Sequence, residues 1–208
     1  SHFQICLSYV NLAKILDLSS IVIHTGFCEK DDRNSLKKKY AKQSEYLEKI
    51  ADLSGKNNIT ILVENIFPFF ENAHTANPSF LRDELMQINH PFLKGCLDVS
   101  HAYISCNFYK EDLMQNIRDF GSYSKHWHVH DSYGKSDVFF KPYNKSDALA
   151  YGIGDLHLPL GDADLPWKKI MKIAKPDKQT VLNIELNPRF WIKLGKCFEF
   201  LRKLIKEM

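Results

Sequence analysis

Lys125-His126-Trp127-His128-Val129-His130-Asp131 reads as a strand, because polar and apolar residues alternate along it. Alternation puts His126, His128 and His130 on one face and Trp127 and Val129 on the other. A strand that aims imidazoles one way and runs into Asp131-Ser132-Tyr133-Gly134 delivers ligands to a site at its C-terminal edge. Further along, Asp155-Leu156-His157-Leu158-Pro159-Leu160-Gly161-Asp162 sets a carboxylate and an imidazole two residues apart, ahead of a glycine-containing loop. Imidazole with carboxylate is a donor set suited to zinc, manganese or iron.

Other strands end the same way. Ser19–Gly26 predicts a buried parallel strand closing at His24, and Ile59–Asn65 predicts another whose first charge is Glu64. Leu93–Asp98 ends on Asp98, with Val99-Ser100-His101 behind it, and Thr180–Glu185 ends on Glu185. Between them the spacing predicts helices over Gln4–Leu18, from Asp31 or Asp32 (as cap) to Ser54, and over Pro78–Gln87, Glu111–Ser122 and Leu165–Ala174. A basic amphipathic helix over Trp191–Lys206 ends the chain, and Phe67–Asn77 and Ser132–Gly154 read as loops. Successive βα units without a Rossmann glycine fingerprint predict an α/β fold on a parallel sheet. In an open doubly wound sheet only strands at the switch point need polar ends, whereas in a (β/α) barrel all strand ends meet at one mouth. His24, Glu64, Asp98, His128 and Glu185 each close a separate strand, which favours the barrel. A TIM barrel takes eight strands. The five clear ones here, after an opening helix, predict a TIM-type barrel that lacks its first three βα units.

With 208 residues and 24.2 kDa, the chain has the length of one domain, expected over residues 1–208. A net charge of +3 permits nucleic acid or phosphorylated ligands without demanding either. Cys6, Cys28, Cys96, Cys106 and Cys197 are odd in number and form no CxxC pair, so they read as reduced thiols of a soluble, cytoplasmic protein. No signal peptide and no apolar run approaching the ~18 residues of a membrane span is visible.

Val22-Ile23-His24-Thr25-Gly26, Val63-Glu64-Asn65, Leu97-Asp98-Val99-Ser100-His101-Ala102, His128-Val129-His130-Asp131, the Asp155–Asp162 run and Ile184-Glu185-Leu186 together resemble the xylose-isomerase-like TIM barrels. These include sugar-phosphate isomerases and epimerases and the endonuclease IV-like enzymes. The resemblance implies a central divalent ion, zinc or manganese, held by Glu64, Asp98, His128 and Glu185. In the three-zinc arrangement, His101, Asp155 and His157 hold a second ion, and His24 joins a bridging Glu64 on another. That arrangement also uses a histidine from a strand upstream of His24, for which His2 is a poor substitute.

Two chemistries follow from the resemblance. In the sugar enzymes Glu64 and Glu185 exchange a proton with carbon while the metal stabilises an enediolate. His130 binds substrate or orients a ligand. Lys135 is either a contact for a substrate phosphate or a solvated loop lysine, and His74 and His90 read as surface residues. In the nuclease reading the partner is DNA, and clustered ions activate water against a phosphodiester at an abasic site. The expected loops carry Lys135, Lys141 and Lys145 but no arginine, which favours a sugar or sugar phosphate as partner. A homo-oligomer is compatible with either chemistry, no membrane is involved, and a non-catalytic metal-binding barrel is the third reading.

Overall fold

Continuous apolar runs in a parallel sheet imply cover on both faces, and the structure, a computed structural model describing residues 2–29, 33–71 and 73–208, buries the inner strands in this way but not the edge strands. The order is α1 (His2–Ile15), β1 (Ser20–His24), β2 (Phe27–Glu29), α2 (Arg33–Gly55), β3 (Thr60–Glu64), β4 (Ala73–Thr75), α3 (Pro78–Ile88) and β5 (Leu93–Asp98). Then come α4 (Val99–Tyr109), α5 (Leu113–Gly121), β6 (His126–Val129), α6 (Lys145–Tyr151), α7 (Trp167–Ala174), β7 (Val181–Ile184), a 3₁₀ turn (Pro188–Lys193) and α8 (Leu194–Lys206). The expected cap at Asp31 or Asp32 lies outside the described residues.

Five strands pair in parallel in the order β1-β3-β5-β6-β7. Each strand lies beside the next in the chain, without the reversal of a doubly wound sheet, so the sheet winds one way as a barrel wall does. It is an open, curled half-barrel. In register, His24 lies opposite Glu64, Glu64 opposite Cys96, and Asp98 opposite His128, which carries the chemistry along one rim.

One apolar core runs from Val10 on α1 to Leu204 on α8, with Trp127 and Phe120 wholly buried at its centre. Gly95 is required where Phe120 crosses the sheet, since a Cβ there would sit 2.6 Å from the ring. Outside the sheet, α3 starts on Asn77, whose side chain accepts from the Phe80 N–H at 2.8 Å, with Pro78 behind it.

Four expectations need correction. The His24 strand is not buried: β1 is a sheet edge, its residues are half-exposed, and His24 itself is open. β7 is the other edge, so Glu185 does not close a buried strand, and Val181 is 52% exposed. α4 occupies a stretch read as a polar strand end, because it is buried on nearly every side and shows no apolar stripe. Within the expected loops, α6 forms between an Asn144 cap and Gly152 with no buried residue, and β4 pairs antiparallel with β2. No helix among the described residues is long and apolar enough to cross a membrane.

Candidate metal centre

The strand-to-helix junctions aim the side chains. Asp98 ends β5 and caps α4, accepting the His101 backbone N–H at 2.7 Å, so His101 comes round one turn later on the same side. Asn65, next to Glu64, locks β3 to β5 by donating to the Asp98 carbonyl and accepting from the Asp98 N–H, both at 2.9 Å.

Around this junction the structure brings four predicted ligands together. His128 Nδ1 lies 3.1 Å from Glu64 Oε1, 3.4 Å from Glu185 Oε2 and 3.8 Å from Asp98 Oδ2. Glu64 and Asp98 are buried, whereas the Glu185 side chain is 30% exposed. On the far side, Glu64 Oε2 lies 3.5 Å from Nε2 of His24, whose side chain is 62% exposed. Glu64 therefore bridges His24 and His128.

A second group adjoins the first. His157 Nδ1–H donates to the Glu185 carbonyl at 3.0 Å, and His101 Nδ1–H to the Asn65 carbonyl at 3.0 Å. These bonds turn both Nε2 atoms toward Asp155 Oδ2, at 2.7 Å from His157 and 3.3 Å from His101. Each Nε2–H donates to the carboxylate there, and a cation could take the place of the protons. Fixing a tautomer through the other ring nitrogen is how proteins prepare imidazole ligands. His130 lies beneath, wholly buried, with Nε2 3.0 Å from Asp98 Oδ2 and its ring stacked 4.0 Å from His157. That position links the two groups through their carboxylates and gives His130 no opening toward a substrate.

The donors fit a cation. Every ion pair that Glu64, Asp98, Asp155 and Glu185 make with a described residue is to a histidine, so no lysine or arginine offsets their charge. His130 Nδ1 and Asp155 Oδ1 are buried without hydrogen-bond partners, 3.7 Å apart. The ligand atoms of Asp98, His128 and Glu185 lie within 4.8 Å of one another, as do those of Glu64, Cys96 and His128. Cys96 was not foreseen, although it sits two residues before Asp98 and so shares its face. Burial and the Glu64, Asp98 and Glu185 carboxylates push its thiol up.

Lys135 is not part of the cluster. Its ammonium donates to the Tyr151 carbonyl at 3.3 Å, while its own carbonyl holds the Gly154 N–H beside Asp155. The two histidines read as surface residues are half-buried: Tyr40 bonds His74 at 2.6 Å, and Asp52 pairs with His90 at 3.3 Å.

Protons occupy this site in the metal-free state. Burial works against the Glu64 anion, yet hydrogen bonds to the His101 and His128 imidazoles hold it at about 2. Burial likewise opposes the His157 cation, but Asp155 raises it from 6.5 to about 9. A raised imidazole stabilises the fold fully below its unfolded pKa and loses that contribution as pH rises through the folded value. The metal-free chain is therefore expected to lose melting temperature from pH 6.5 to about 9, and His157→Asn to flatten that slope. Melting curves in chelator across that range check it.

A half-barrel with a carboxylate–imidazole rim defines a member of the (β/α) barrels with a candidate metal centre. The sequence pattern described as xylose isomerase-like TIM barrel matches residues 2–207, and this chain belongs to that family. The uncharacterized protein MJ1188 of Methanocaldococcus jannaschii is 29% identical over 175 residues, 80% of this chain and 61% of that protein. A solved D-tagatose 3-epimerase-like protein superposes with a TM-score of 0.65 at 21% identity, over 95% of this chain and 66% of its own. IOLI protein with a bound zinc atom gives 0.67 at 11% identity, over 97% and 66%. The chain thus spans under two thirds of the length of these relatives.

Proposed function

We propose that this chain belongs to a divalent-metal-dependent sugar or sugar-phosphate isomerase or epimerase. The observation that carries the reading is the approach of Glu64, Asp98 and Glu185 to one nitrogen of His128. Asp98 and His128 would hold the ion, zinc or manganese, together with Glu64 and Glu185. A divalent cation supplies polarisation of a hydroxy-carbonyl and charge stabilisation for an enediolate. Glu185, the more exposed of the two carboxylates, would take a proton from carbon and return it as the acid so formed, and Glu64 would be the second carboxylate across the substrate. His101, Asp155 and His157 would hold a further ion, which gives up to three with the His24 and Glu64 pair. The sugar-epimerase names carried by solved neighbours at low identity agree with this class of substrate.

The second group is also what a phosphodiesterase acting on abasic DNA would use, so one experiment addresses both chemistries. Metal-loaded protein is incubated in D2O with a panel of ketoses and ketose phosphates, and in parallel with a duplex carrying an abasic site. Deuterium at the carbon beside the carbonyl, without incision, is the expected result. Incision without exchange would replace this reading by the nuclease one.

A further inference from the structure

Asp131 is wholly buried, and no described cation pairs with it. Its Oδ2 accepts from the Gly161 N–H at 2.8 Å, the Trp167 Nε1–H at 3.2 Å and the Ala163 N–H at 3.3 Å. Its Oδ1 accepts from the Ser132 N–H at 3.0 Å and the Leu165 N–H at 3.3 Å. Its backbone pairs both ways with Leu158, at 2.9 and 3.0 Å. All five side-chain partners are donors; burial pushes the Asp131 carboxyl up, and these N–H groups work against that by favouring the anion. Four of them belong to the segment that begins at Asp155 and His157.

That segment has a strained point. His157 has φ of +50°, a left-handed conformation that costs a residue with a Cβ about 1 kcal/mol or more and persists only where neighbours fix it. Its carbonyl accepts from the Asn187 N–H at 2.9 Å, and the next residue, Leu158, is the one Asp131 grips. These ties hold the His157 backbone, and the Nδ1 bond to the Glu185 carbonyl then turns the ring so that Nε2 meets Asp155.

We propose that Asp131 is a positioning residue for the outer metal group: it gathers the Leu158–Trp167 turn and so sets His157 and Asp155 for a divalent ion. This rests on the metal reading above. The test is zinc titration against a chromophoric chelator, with the outer ion identified by its loss in His157→Ala. Asp131→Asn puts an amide donor against two N–H groups. It is expected to weaken the outer ion about 10-fold or more, the range typical of groups that orient ligands, and the central ion less than about twofold. Trp167→Phe removes one donor and keeps the ring's packing, so it reports even where Asp131→Asn folds poorly, with a smaller loss at the same ion. Unchanged zinc binding in both variants, or equal weakening of both ions, overturns the inference. Wild-type protein that binds no zinc overturns the metal reading itself, which separates the two failures.

Discussion

Glu185→Gln is expected to lower turnover about 10³-fold, within the range a positioned acid–base group contributes, and to leave the fold intact. The side chain sits at a sheet edge and is 30% exposed, so the amide replaces it without a buried orphan. Its backbone carbonyl, which anchors His157 Nδ1 at 3.0 Å, is untouched. Steady-state kinetics and deuterium exchange at carbon, with metal content matched to wild type, measure the effect. Wild-type turnover under matched metal would remove Glu185 from the chemistry.

Glu64→Ala should have the larger effect on binding and stability. Glu64 is 3% exposed, its Oε1 serves both His101 and His128, and its Oε2 faces His24. Removing it deprives two buried imidazoles of a shared anion. Breaking a buried pair this way costs about 3 kcal/mol. Loss of a bridging carboxylate should lower zinc affinity about 100-fold, at the upper end for disturbed metal sites. Urea denaturation of the metal-free protein and chelator competition read the two effects separately. A variant as stable as wild type, holding zinc as tightly, would show that Glu64 is neither bridge nor ligand.

The strands were legible because a parallel strand covered on both faces must be apolar throughout, so the first charge after Ile59–Val63 or before Val99 marks a rim. That put Glu64 and Asp98 in the candidate site before any geometry, and alternation along Lys125–Asp131 added His128. Their convergence was not legible, since it depends on register: Asp98 meets His128 only because β5 and β6 pair there. Exposure of β1 and β7 follows from sheet order, which local sequence does not carry. α4 escaped notice because a helix buried nearly all round has no polar face to set its period. His130 and Lys135 show the same limit in side chains. Alternation placed His130 on the ligand face but could not tell a buried link between carboxylates from a substrate contact. Lys135 turned toward Tyr151 through the path of its loop.

Anomalous diffraction at the zinc edge, from crystals of this chain grown with zinc, tests the central claim most directly. The account predicts a peak at bonding distance, about 2.0–2.2 Å, from His128 Nδ1 and from carboxylate oxygens of Glu64, Asp98 and Glu185. Zinc bound only elsewhere, or a chain that takes up none, would contradict it.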